Sequence, residues 1–228
     1  MKKIGIIFAM REELEETKKM FTDIKEHLIY ELKIYECKNE SIICYLVESG
    51  IGKVNATRTT QILIDKMNVD YILNVGVAGS VSKEVNKCDI VIADKLVQHD
   101  FELTIYNYEK GEIPNIGKYI DCDEYLIDIA KNVKIDSNVH IGVIASGDIF
   151  ISDENMGAKI NKKFDALCVE MEGAAIAQVC RLCRIPFLVI RAISDSPYEE
   201  DNHLTFDEFL KISSNMAAKF IKEFLLKI

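Results

Sequence analysis

Carboxylates recur where apolar, strand-like runs of this chain end. Glu12 and Glu13 follow the first such run, Glu170 and Glu172 flank Met171 after a later one, and Asp195 closes Val189-Ile190-Arg191-Ala192-Ile193-Ser194 after the last. In α/β proteins ligands bind outside the carboxyl ends of the strands, so acids placed there face a substrate. Taken singly, an acid after a strand has another use, because it favours the positive end of the helix that it begins. Three such ends, meeting glycine-bearing turns at Gly50, Gly76 and Gly147, weaken that simpler account. Paired carboxylates in a cleft suit cleavage of a glycosidic bond: one acts as acid on the leaving group while another activates water against an oxocarbenium-like centre.

The elements that must carry these acids alternate along the chain without a linker, repeat or low-complexity stretch. Lys3 to Ala9 is a continuous apolar strand, and Arg11 to Phe21 has the 3.6-residue spacing of a helix. Ile29 to Cys37 and Ser41 to Glu48 read as two strands joined by the turn Lys38-Asn39-Glu40. Gly52 to Met67 is predicted helical, and Asp70 to Val75 is a buried strand running into Gly76-Val77-Ala78-Gly79-Ser80. Asp89 to Val97 is a strand, followed by a polar, irregular excursion from Gln98 to Gly117. Then come a helix at Asp121 to Asn132, strands at Val139 to Ala145 and Ala166 to Val169, a helix at Gly173 to Cys183, a strand at Pro186 to Ile193, and a closing amphipathic helix at Thr205 to Leu226. Strands that are apolar throughout are buried on both faces, so the expected architecture is a mixed central sheet flanked by helices, in one domain spanning 1–228.

Composition narrows the field. A net charge of -9 and a pI near 5.1 oppose a nucleic-acid partner, which needs Lys and Arg against its phosphates. No apolar run approaches the roughly 20 residues that span a bilayer. Arg11, Glu12 and Glu13 follow the first strand too soon for a signal peptide, so a cytoplasmic protein is expected. Seven scattered cysteines do not form a disulfide framework, and Cys180-Arg181-Leu182-Cys183 reads as buried helix cysteines. Ser49-Gly50-Ile51-Gly52-Lys53-Val54 lacks the spacer and the Ser or Thr of a phosphate-binding P-loop, and reads as a tight strand-to-helix turn. Gly76 and Gly79 do not make a dinucleotide fingerprint, no G-x-S-x-G occurs, and the four histidines lack metal-binding spacing. A mechanism without metal or cofactor is what remains.

Six stretches then carry a resemblance. Gly5-Ile6-Ile7 with Ala9-Met10 and Glu12-Glu13, Ser49 to Val54, Ser146-Gly147-Asp148 with Phe150-Ile151, Val169-Glu170-Met171-Glu172, Arg191 to Asp195, and Phe206-Asp207-Glu208-Phe209 occur in the order of the bacterial 5′-methylthioadenosine/S-adenosylhomocysteine nucleosidases. The chain resembles that family, part of the nucleoside phosphorylase superfamily, from its first strand to its last helix. The resemblance implies an α/β three-layer sandwich with a central mixed, twisted sheet, a homodimer, and hydrolysis of the N9-ribosyl bond of 5′-thioadenosines without metal or cofactor.

It also implies roles. Glu13 matches the base that activates water, and Asp195 the acid that serves adenine N7 as the bond breaks. Glu172 matches the residue holding the ribose 2′ and 3′ hydroxyls, with Met171 beneath the sugar and Arg191 near the water and the acids. Phe150 is expected to stack on the purine, although read alone it fits ordinary core, and the backbone of Ile151 to read the purine edge while Ser194 orients Asp195. Ala78 and Gly79 match a backbone strip close to the nucleoside. Met10, Ile51 and Phe206 match the pocket for the 5′-alkylthio group, completed by Tyr108 of a second subunit.

The chain departs from the family pattern at Val77, where many members carry Ser, at Cys88, usually Gly, and in an acidic loop from Ser196 to Asn202. Met10-Arg11-Glu12-Glu13 stands where phosphate-using relatives hold a basic loop, which favours hydrolysis. Two other readings stay open: a relative acting on another purine nucleoside, by phosphorolysis or hydrolysis, and a purine-binding or storage protein without catalysis. Joint presence of Glu13, Glu172 and Asp195 speaks against the last, since a binder needs no water-activating acid.

Overall fold

A computed structural model describes residues 1–38, 41–196 and 206–228. In chain order the elements are β1 (Lys2–Phe8), α1 (Arg11–Lys18), β2 (Ile24–Ile29), β3 (Leu32–Lys38), β4 (Ile42–Glu48), α2 (Lys53–Ile62), β5 (Tyr71–Ser80), β6 (Ile90–Gln98), β7 (Ile120–Asp121), α3 (Glu124–Lys131), β8 (Val139–Ser146), α4 (Glu154–Phe164), β9 (Ala166–Glu170), α5 (Gly173–Cys183), β10 (Phe187–Asp195) and α6 (Phe206–Leu225). The strands form one mixed sheet in the order β10-β6-β8-β9-β5-β1-β4-β3-β2, with β7 on β6. β10 also pairs with β5, so β5, β10, β6, β8 and β9 close into a ring while β1 to β4 extend from it. Helices flank the sheet, α1 against α6 and α2 against α5. The mixed sheet and its helical layers agree with the expected fold class.

β5 organises the architecture. Along one edge it pairs with β10 from Ile72 to Gly79. Along the other it pairs first with β1, parallel and ending at Ile7↔Asn74, and then with β9, antiparallel and beginning at Gly79↔Val169. Val75 to Ala78 therefore lack a strand neighbour on that edge. Because β1 runs with β5 and β9 against it, the carboxyl ends of β1 and β9 converge on this interval. Burial on both faces fixes the strands around it: Ile4, Ile6, Ile7 and Phe8 of β1 and Leu188, Val189 and Ile190 of β10 have no accessible surface.

Several elements differ from the sequence expectation. The strand expected from Ile29 to Cys37 is β3, and an unexpected strand, β2, precedes it across a turn at Tyr30 and Glu31, both with positive φ. Such two-residue turns usually advertise themselves by Asn-Gly or Asp-Gly, and this one does not. α4 was not foreseen, although Asp153 caps it by accepting from the Met156 amide at 2.7 Å and Asp165 ends it in a left-handed conformation. The helix expected through Met67 changes at Leu63 to a π-helical turn that stops at left-handed Asn68. Within the irregular excursion, Thr104–Tyr106 form a 3-10 turn. Asn39-Glu40 and most of the acidic loop, 197–205, lie outside the described residues.

Candidate active site

The open interval on β5 is filled by a carboxylate. Met10 and Glu13 open α1 with a capping arrangement that turns the Glu13 side chain back on the chain. Glu13 Oε2 accepts the amides of Ala9 and Met10, both at 3.0 Å, and Oε1 accepts the Val77 amide at 2.9 Å. The last bond supplies the acceptor that a neighbouring strand would have given. Gly76 makes room, since a Cβ there would lie 2.6 Å from Glu13 Oε1. Burial raises the Glu13 pKa, opposed by the Arg191 charge and these three amides. Val77 in place of a family serine leaves the bond intact, because it is made by the backbone.

Beside Glu13 lies a buried charge cluster. Arg191, 1% exposed, donates through Nη2 to Glu170 Oε2 and Asn74 Oδ1, and through Nη1 to its neighbour's carbonyl, Ile190 O, at 3.2 Å. Nη2 is 3.9 Å from Glu172 Oε2. Glu170 Oε2 also accepts the amides of Glu172 at 3.0 Å and Gly173 at 2.7 Å, while Ser146 Oγ donates to Oε1. Glu170 thus holds the start of α5 and with it the backbone of Glu172. Glu172 Oε1 accepts the Gly52 amide at 2.8 Å. Burial, then the charge of Glu170, pushes the Glu172 pKa up to about 7, against the opposing pull of Arg191.

Asp195 stands apart from this cluster, at the end of β10 beside Gly79. A Cβ on Gly79 would lie 2.7 Å from Asp195 Oδ2, so glycine lets the carboxylate approach the backbone. Ser194 Oγ donates to Asp195 Oδ1 at 2.7 Å and lies 3.4 Å from Ala78 O.

Glu13, Glu172, Arg191, Ser194 and Asp195 line one cavity of about 280 Å³. Met10, Ile51, Ala78, Gly79, Phe150 and Met171 also line it, as does Glu170, so most of the sequence-derived site converges. Ile151 lines a small adjoining hollow with Phe150. Phe150 is 63% exposed rather than core, which removes the simpler account of it. Tyr108 does not line this chain's cavity and is 36% exposed on the excursion after β6. Phe206 begins α6, but its side chain is outside the described residues.

Sequence reasoning missed Asn74 and Ser146, and it counted Glu170 among the acids without seeing its part. Their signal was weak: each is a lone polar residue at an apolar strand, and only the fold brings them to Arg191. Lys53, the lysine of the glycine turn, is also accounted for. Its ammonium donates to Gln98 Oε1 at 3.1 Å and to both Asp100 oxygens at 2.8 and 2.9 Å, which engages all three of its hydrogens. Cys88 has a φ of +68°, the conformation in which glycine is at ease.

The chain matches the family model of the phosphorylase superfamily over residues 3–226. A 5′-methylthioadenosine/S-adenosylhomocysteine nucleosidase of an Exiguobacterium strain is 40% identical, with 96% of this chain and 95% of that protein covered. The chain belongs to this nucleosidase family. The fold agrees: a crystal structure of a Helicobacter pylori nucleosidase mutant with 5′-methylthioadenosine in its active site superposes with a TM-score of 0.94 at 34% identity, covering 100% of both chains. A futalosine hydrolase of H. pylori gives 0.93 at 35% identity, covering 100% of this chain and 98% of that one. Family membership makes the chain an N-glycosyl hydrolase, and the cleft at the β5 gap supplies carboxylates in distinct surroundings for such a reaction.

Those surroundings are measurable. In protein labelled with 13C at glutamate carboxyls, the Glu172 signal, assigned through Glu172→Gln, is expected to titrate near pH 7. In Glu170→Gln the midpoint should fall, because the neighbouring charge that raises it is gone; a wild-type midpoint below 5 would contradict the burial argument. The same substitution leaves Arg191 short of its principal partner. Urea unfolding should register a loss of about 3 kcal/mol, at the low end for a broken buried pair because Glu13 and Glu172 remain near the guanidinium.

Proposed function

We propose that this cleft hydrolyses the N9-ribosyl bond of 5′-methylthioadenosine, S-adenosylhomocysteine and 5′-deoxyadenosine, releasing adenine and the 5-substituted ribose. One observation carries the mechanism: Glu13 and Asp195 enter the same cavity seated against Gly76 and Gly79 of one strand. Three residues of extended chain separate those seats by about 10 Å. Seats this far apart favour the wider carboxylate arrangement that admits a water on the face opposite the leaving group over the roughly 5 Å of enzymes that attack the sugar directly.

In this reading Asp195 protonates adenine N7, so that a neutral purine departs, with Ser194 fixing the carboxyl. Glu13 takes a proton from the attacking water; its raised pKa makes it a better acceptor than an exposed carboxylate. Glu172 receives the ribose hydroxyls above Met171, and Arg191 balances the acids. Phe150 stacks on the purine, the Ile151 backbone reads its edge, and Ala78 and Gly79 pass along the nucleoside. Met10 and Ile51 surround the 5′ substituent.

The nucleophile is water. A phosphorylase must hold an anion beside the ribose, but here Glu13, Glu170 and Glu172 surround the single Arg191, and Lys53 is held by Asp100. Adenine release is therefore expected to proceed unchanged in phosphate-free buffer, with one atom of 18O from labelled water on the ribose product. Ribose 1-phosphate as the main product would move the chain to phosphorolysis. Asp195→Asn and Glu13→Gln are each expected to cut kcat by roughly 10²- to 10⁴-fold or more, with smaller effects on ground-state binding. Turnover near wild type in either would remove that residue from its role.

A second reading concerns the substrate range. The likeness to a futalosine hydrolase puts futalosine in an assay for release of its own purine base, where hydrolysis would add a substrate to the range.

The chain is proposed to work as one domain in a cytoplasmic homodimer. Burial pushes the Cys37 and Cys44 thiols up to about 12, which suits a reduced state. Ile105, Tyr106 and Tyr108 are exposed apolar residues on the excursion after β6, and in this reading Tyr108 reaches the neighbour's 5′ pocket. Tyr108→Ala should weaken alkylthio substrates more than 5′-deoxyadenosine, which has less apolar surface to bury. Sedimentation showing a fully active monomer would overturn the assembly.

A further inference from the structure

The glycine turn before α2 and the loop after β8 each carry one exposed wall of the cavity, Ile51 and Phe150, which are 52% and 63% accessible. Neither wall is fixed by core packing. What joins them is a closed cycle of three residues from three segments. Asp148 Oδ1 accepts the Lys53 amide at 2.8 Å, so a side chain 95 positions away satisfies an otherwise unpaired amide at the start of α2. The Asp148 amide donates to Asp100 Oδ2 at 2.9 Å. Lys53 Nζ closes the cycle on both oxygens of Asp100, with side chains only 19% and 15% exposed. Gln98 takes a further hydrogen of Lys53 and donates in turn to Gln178 Oε1 at 2.9 Å, which ties the cycle to α5.

The cycle reaches the sugar side through one peptide unit. Gly52, immediately before Lys53, gives its amide to Glu172 Oε1 at 2.8 Å. Its φ of +97° is one that residues with side chains rarely adopt, and a Cβ would lie 3.1 Å from Asp148 Oδ1. Two successive amides are thus divided between Glu172, which faces the sugar, and Asp148, two residues before Phe150. A shift of the turn moves both.

We propose that Lys53, Asp100 and Asp148 are positioning residues for nucleoside hydrolysis, a clasp that sets the spacing between the ribose-binding carboxylate and the purine-stacking loop. The proposal rests on the nucleosidase reading and goes beyond it, because none of the three lines the cavity. The charged bonds of the clasp are stronger than neutral ones and partly shielded from water, which suits a fixed spacer.

Two variants test it. Lys53→Met opens the cycle at the ion pair, and Asp148→Ala opens it while leaving Lys53 and Asp100 paired, which covers the case in which the first fails to fold. In either, KM for 5′-methylthioadenosine should rise roughly 10- to 100-fold, the cost expected when binding groups shift by about 1 Å, with a smaller fall in kcat. Lys53→Arg should restore part of the loss. The second readout is the Glu172 carboxyl midpoint in the 13C titration without substrate. Glu172 faces Glu170 of β9, Arg191 of β10, Glu13 of α1 and the Gly52 amide, and only the last depends on the clasp. Losing that amide should move the midpoint upward. A folded variant with wild-type KM and an unmoved midpoint would overturn the proposal. If the wild-type protein released no adenine, the functional reading would fail, while the titration would still decide whether the clasp holds Glu172.

Discussion

The site depends on one buried cation. Arg191 lies in the fully covered part of β10 with Glu13, Glu170 and Glu172 around it, so one positive charge faces three groups able to be negative. With all three ionised, a charge of -2 would be left in a medium where unit charges a few ångströms apart interact far more strongly than in water. Protein interiors relieve such an excess by raising carboxylate pKa values, and both Glu13 and Glu172 move in that direction. Glu170 takes the closest contact with the guanidinium and two backbone amides besides, which commits it to structure. The remaining acids keep an affinity for protons that an exposed carboxylate lacks, and they repel an anionic nucleophile. The buried arginine therefore permits the cluster, while the acids around it oppose an anion.

Differences in surroundings then divide the work among four carboxyl groups of one chemistry. Glu13 is held by three amides where β5 lacks a neighbour, Glu170 by Arg191 and the start of α5, Glu172 by a single amide, and Asp195 by a serine hydroxyl and the open backbone at Gly79. These differences follow from sheet topology. β1 and β9 approach the same edge of β5 from opposite directions, and each delivers its acids where it ends.

Much of this was legible in the sequence because the signals are local. An apolar run followed by an acid marks Glu13, Glu172 and Asp195 at strand ends, and small residues from Gly76 to Gly79 mark a backbone that something approaches closely. What escaped has its cause elsewhere. The Tyr30-Glu31 turn carries no residue suited to positive φ, so nothing local marks the hairpin or the strand β2 before it. Glu170 reads like its neighbour Glu172, and only the burial of Arg191, 21 positions on, marks it as the acid that holds the guanidinium. Lys53, Asp100 and Asp148 lie 47 and 48 residues apart in successive segments, with no periodicity to relate them.

Gly76 and Gly79 connect the two kinds of information. Each leaves the volume of a side chain to a carboxylate from another element, Glu13 in the first case and Asp195 in the second. Phosphate-binding loops use glycine to bring backbone amides toward a ligand's oxygens; here the oxygens belong to the protein and face the cavity. The same residue type in a short Gly-rich stretch thus fits either chemistry, and what decides is the charge of the elements that converge on it. Met10-Arg11-Glu12-Glu13 after β1 brings acid to the gap, so β5 serves as a ruler that spaces two carboxylates along the cavity rather than as a cradle for phosphate.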